Sequence, residues 1–125
     1  MHSDSEIVAE FIGYHQMALD TEMVLRRQGA SWGPEIFSEL AYDDPTRCWQ
    51  IAKAISQSAL PDDAMISLSV TLGTLLREHP EIIDTVAHDV REDQRLAKVM
   101  SWIEEDEYIL PEIWAKVLAM SATEP

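Results

Sequence analysis

At 125 residues and 46% hydrophobic content, the chain has the size and composition of one globular domain, which excludes a disordered acidic tail. Its 23 Asp and Glu against 9 Lys and Arg give a formal net charge of -14, far beyond the magnitude of about 2–8 at which a small domain is comfortable. That balance argues against direct binding of nucleic acid, which takes clustered cations, and against an anionic membrane surface.

The elements follow in chain order as helices. Ser3 or Asp4 can cap the first, with Glu6 in its first turn. Ile7, Val8, Phe11, Ile12, Ala18 and Leu19 recur at helical spacing. The pattern runs through Gly13, Val24 and Leu25 to Gln28, so that Gly29 ends a long N-terminal helix over 1–29. Ala30-Ser31-Trp32-Gly33 reads as a short loop, and Pro34 opens a second helix through Ile36, Phe37, Leu40 and Ala41. Asp44 is the expected N-cap and Pro45 the first residue of a third helix, whose buried stripe is Cys48, Trp49, Ile51, Ala52, Ile55 and Ala59. Leu60-Pro61-Asp62-Asp63 repeats that punctuation. The next stripe is Met65, Leu68, Ser69, Leu72, Leu75 and Leu76, and Gly73 is a point where this helix can split. His79-Pro80 marks another boundary, because a residue before proline disfavours the α region. Beyond it lie a stripe of Ile82, Ile83, Val86, Ala87 and Val90, a helix capped by Asp93, and a last helix from Pro111 that buries Ile113, Trp114, Val117 and Leu118. The tail over 121–125 is expected to fray.

No segment alternates as a strand, so the pattern predicts an all-α single domain over 1–125. It would hold six to eight short helices, as an antiparallel bundle or a short solenoid-like array. Cys48 is the single cysteine, which rules out an intramolecular disulfide and suits a reducing compartment. Met1-His2-Ser3-Asp4-Ser5-Glu6 lacks the positive and apolar regions of a secretory signal, and no stretch is apolar enough to span a bilayer. A cytoplasmic protein is expected.

Pro45, Trp49 and Ile51, then Gly73, Leu75 and Leu76, then Ile82, Ile83 and Ala87, and finally Ile113 and Trp114 are mostly core-type residues that carry a resemblance. On these residues the segment 44–118 resembles a family of small, uncharacterised bacterial all-helical proteins with a domain of unknown function. The resemblance implies a helical fold. Members typically carry an acidic residue soon after the glycine turn, where this chain has Thr74 and Arg77. In size, charge and helicity the chain is also similar to acidic bacterial immunity proteins, which neutralise toxins delivered between bacteria; this likeness is an analogy at the level of fold.

Acidic residues gather at Asp43-Asp44, Asp62-Asp63, Glu92-Asp93 and Glu104-Glu105-Asp106-Glu107. Carboxylates at helix N-termini satisfy free N–H groups and complement the helix dipole, which accounts for Asp44, Asp62 and Asp93. It does not account for four consecutive acids at 104–107, which suit contact with a basic partner as well as a solvated loop. Tyr42, Tyr108 and Trp32 stand beside these turns and are candidate interface anchors, or rings that close the core edge. The partner-binding set is therefore Trp32, Tyr42, Asp43, Asp44, Asp62, Asp63, Glu104, Glu105, Asp106, Glu107 and Tyr108.

Glu81, Asp84 and His88 share a helix face, a spacing that fits an exposed ion pair better than a metal site, and no second ligand pair accompanies them. His15 borders an apolar stripe and Cys48 lies on one, so both read as packing residues. No nucleophile elbow, phosphate loop or dinucleotide fingerprint is present. The expectation is an interaction protein without catalytic residues, metal or cofactor: a bacterial immunity protein or inhibitor that occludes a basic toxin or nuclease. The alternatives are a helical adaptor or scaffold subunit, which could be a homo-oligomer, and third a small enzyme or metal protein.

Overall fold

Proline and aspartate set the helix boundaries. The computed structural model describes residues 3–16, 32–104 and 107–121. The expected helical continuation over 17–28, the Arg26-Arg27 pair, the His15 side chain, Glu105, Asp106 and the tail beyond 121 lie outside the described residues. Within them, α1 is Asp4–Gln16, α2 Trp32–Asp43, α3 Pro45–Ser56 and α4 Asp62–Glu78. A 3-10 turn over Pro80–Ile82 leads into α5 (Ile83–Glu92), followed by α6 (Gln94–Met100) and α7 (Pro111–Ser121).

Local chemistry explains most of these ends. Ser3 forms a reciprocal box with Glu6: its Oγ accepts from the Glu6 N–H at 3.2 Å, and its own N–H donates to Glu6 Oε1 at 3.1 Å. Asp4 is thereby released from capping and accepts from Arg47 Nε at 2.6 Å. Asp44 caps α3 through the Arg47 N–H at 3.2 Å, with Pro45 as the first helical residue. Asp93 caps α6 through the Arg95 N–H at 2.9 Å.

Several expectations are corrected: Ala59 and Leu118, expected in buried stripes, are both exposed. Trp32 opens α2 rather than standing in a loop, because Pro34 needs only to fall among the first four N–H groups, which have no helical partner. Its ring is half-buried and packs against the core. Asp62 and Asp63 stand in the first turn of α4, behind Pro61 at its N-cap, where their charge complements the helix dipole. The helix α4 runs unbroken through Gly73, where a Cβ would lie at an ordinary contact distance of 3.8 Å from Ile103 Cγ2. Of the two arrangements expected for an all-α domain, the helices take the bundle and not the solenoid-like array. Helix α1 contacts α2, α3 and α4, and one continuous core joins residues from every described helix.

That core centres on Phe11, Phe37, Trp49, Leu68, Leu72 and Leu75, all buried. Phe11 and Phe37 meet edge-to-face with ring centroids 5.5 Å apart, joining α1 to α2. The residues that carry the family resemblance are mostly core: Trp49, Ile51, Leu75, Leu76, Ile82, Ile83 and Ile113 are buried, and Ala87 and Trp114 pack against them.

The second half of the chain is pinned to the first by polar contacts. Trp49 Nε1–H donates to Asp89 Oδ2 at 2.7 Å, and Lys53 Nζ lies 3.1 Å from the same oxygen. Asp93 also accepts from Gln57 Nε2 at 2.7 Å, while Arg95 Nη1 donates to the Gln57 carbonyl at 2.9 Å.

Cys48 is fully buried on α3. Burial, and then the nearby Asp44 carboxylate, push its thiol up to about 12. The thiolate is the reactive form. In native protein at mildly alkaline pH, labelling by a thiol reagent is therefore expected to track the opening of the fold, while urea-unfolded chain labels at the rate of a free thiol. Fast labelling of native protein would contradict this burial.

Candidate functional site

Helix α4 has two apolar faces. Its buried face carries Ala64, Met65, Leu68, Leu72, Leu75 and Leu76. Residues two apart on a helix point roughly 200° apart, so Ile66 and Val70 face away from that stripe. They are 53% and 64% exposed, unusual for two β-branched side chains one turn apart. Gly73, Thr74 and Arg77 continue their line along the helix.

Residues 102–104 and 107–109, after α6, lie alongside this outer face. Trp102, Ile103, Glu104, Glu107 and Ile109 form the wall opposite Ile66, Ser69, Val70, Gly73, Thr74 and Arg77, leaving an open groove of about 640 Å³. Ile103 and Ile109 are buried at its base. The hydroxyls of Ser69 and Thr74 donate to the carbonyls of Ile66 at 2.8 Å and Val70 at 3.2 Å, so their own helix already engages them. The result is a trough with an apolar centre.

Its margin is acidic. Glu104 and Glu107 line the wall and are exposed, with no ion-pair partner among the described residues. Asp62 and Asp63 lie one turn before Ile66 on α4, both exposed. The one cation of the lining, Arg77, stands 3.6 Å from Glu78 Oε2 and donates to the Tyr42 hydroxyl at 3.3 Å.

The acidic clusters read from the sequence do not share one spot. His79 Nε2–H donates to the Tyr42 carbonyl at 2.7 Å, which sets the end of α2 against the end of α4. Tyr42, Asp43 and Asp44 therefore lie at the C-terminal end of α4, while Asp62 and Asp63 lie at its N-terminal end. The helix has 17 residues, so roughly 25 Å separates the two groups. Asp44 is further committed to its cap. Of the predicted residues, Glu104 and Glu107 line this groove, with the exposed Tyr108 next to Glu107 in the chain, while Asp62 and Asp63 stand in the first turn of α4, outside the lining. Trp32 opens α2, away from this lining.

Ile66 and Val70 were not singled out by the sequence reading, which assigned α4 one stripe. The available signal was their four-residue spacing, about 200° from Leu68 and Leu72. Elsewhere, Asp84 pairs with Lys116 at 3.4 Å, and among the described residues no three His, Cys, Asp or Glu side chains gather where they could hold a metal. No described helix is long and apolar enough to cross a membrane. No protein-family model, curated protein or solved structure matches this chain.

Proposed function

We propose that the chain is an acidic interaction protein that binds a basic protein and occludes it, in the manner of an immunity protein or inhibitor of a toxin or nucleic-acid-processing protein. The observation that carries this reading is the net charge of -14 on a well-packed helical fold. Self-repulsion of this size works against compactness, and attraction of a cationic partner is the corresponding gain. The cations do little to screen it locally, since Arg47, Lys53, Arg77 and Lys116 each sit within an internal ion pair. In this reading the chain has no catalytic role, acts in the cytoplasm and contacts neither nucleic acid nor membrane.

A helical adaptor or scaffold subunit is the second reading, favoured by the exposed apolar pair Ile66 and Val70. The two readings share a binding surface and differ in its consequence. Capture at low salt from a lysate, eluted by salt, is expected to yield one basic protein. Its activity is then assayed with and without the chain. Stoichiometric loss of activity supports inhibition. Binding with activity intact selects the adaptor, and recovery of the chain alone contradicts the basic-partner reading.

A further inference from the structure

We infer that the groove between α4 and residues 102–104 and 107–109 is the docking site for a basic amphipathic helix of a protein partner. This rests on the basic-partner reading above and adds where and how such a partner is held. The occupant's chemistry follows from the lining. Ile66 and Val70 offer two apolar footholds one turn apart, which match side chains spaced i, i+4 on a facing helix. Gly73 continues their line along the groove and adds no side chain to its wall.

Charge selects among amphipathic helices. Glu104 and Glu107 line the groove wall, and Asp62 and Asp63 lie one turn before Ile66 on α4, outside the lining. Lys or Arg on the flanks of the incoming helix would meet these carboxylates, whereas acidic flanks would be repelled. Arg77 marks the far end, where its charge is shared with Glu78. From Ile66 to Arg77 the trough follows α4 for roughly 16 Å, the length of about three helical turns. Apolar residues of the partner thus supply the anchoring contact, and its cations supply orientation and encounter rate.

The test uses two probes on the full chain. One is a fluorescein-labelled helical peptide of about 14 residues, with Leu along one face and Lys on both flanks; the other is poly-lysine. Affinity is read by anisotropy at about 0.15 M salt, and the site by amide chemical shifts. The Leu/Lys helix is expected to bind more tightly than poly-lysine and to shift Ile66, Val70, Gly73, Ile103 and Ile109. Val70→Asp is expected to weaken the helix by about tenfold or more while leaving poly-lysine bound at least as tightly, since it adds a carboxylate. The Glu104→Gln/Glu107→Gln pair is expected to weaken both probes and flatten their salt dependence. Val70 is 64% exposed, so an unchanged urea midpoint serves to verify that V70D is folded. Equal binding of the helix by V70D, or shifts confined to other surfaces, overturns the groove. If poly-lysine still binds in that case, the basic-partner reading stands without it; if neither probe binds, both fall.

Discussion

Asp89→Ala is expected to destabilise the fold by about 2–3 kcal/mol, read as a lower urea midpoint with an unchanged m-value. The argument starts at Trp49, which is 1% exposed and whose indole N–H has left water. Its acceptor is Asp89 Oδ2, on a helix 40 residues away in sequence. Alanine removes the acceptor and leaves the donor buried without a partner, the costly way to lose a hydrogen bond. It also strips Lys53 of its carboxylate. Trp49→Phe removes the donor instead, and a double-mutant cycle isolates the pair from the lost indole volume. Strictly additive effects would show that the contact adds nothing.

The same carboxylate gives a pH dependence. Partial burial raises the Asp89 pKa, but the Trp49 and Lys53 contacts more than offset this and hold it below its ordinary 3.8. The folded pKa is the lower one, so the contribution is fully present above the ordinary value and is lost as pH falls through the folded value. Wild type is therefore expected to exceed Asp89→Asn in stability at neutral pH, by a margin that shrinks below about pH 4. A margin that is constant down to acid pH would contradict the assignment.

Gly33→Ala is the second large effect, expected to cost about 1–3 kcal/mol. A Cβ at this position would fall 2.7 Å from Glu10 Cβ, 3.0 Å from the Phe11 nitrogen and 3.1 Å from the Glu10 carbonyl carbon. Two of these atoms are backbone of α1, so relief requires moving a helix rather than turning a side chain. The displacement would also disturb the Phe11–Phe37 contact next to it. Gly73→Ala is the control. Its Cβ meets Ile103 at an ordinary 3.8 Å, and alanine inside a helix gains roughly 0.5–1 kcal/mol over glycine. Opposite signs for the two substitutions are expected in thermal or urea unfolding. A neutral Gly33→Ala would mean that α1 and α2 are not packed this closely.

The helical architecture was legible because its signals are local. Asp44-Pro45, Asp93 and the Ser3–Glu6 box act within four residues, and each stands where the sequence pattern placed a helix start. The errors arose where a local rule is permissive or a distant contact decides. Pro34 is tolerated anywhere in a first turn, so it could not reveal that Trp32 already belongs to α2. The cost of Gly73 in a helix is outweighed by packing on both sides of α4, including Ile103, which lies 30 positions away.

The site was less legible. The acidic residues announced themselves by composition, yet no local rule places Glu104 and Glu107 against the outer face of α4 while setting Asp43 and Asp44 at its C-terminal end. That division depends on how the chain turns back after α6. The Trp49–Asp89 bond was half readable. A buried indole N–H requires an acceptor, but only the packing of α3 against α5 says which one.

The central claim is that the negative field of this chain brings a basic partner to it. The most direct measurement is the association rate with the captured partner as salt rises from about 0.1 M to about 1 M, which shortens the screening length from roughly 10 Å to 3 Å. The account predicts a fall in association rate of about tenfold or more, with a much smaller change in the dissociation rate. An association rate indifferent to salt would contradict it.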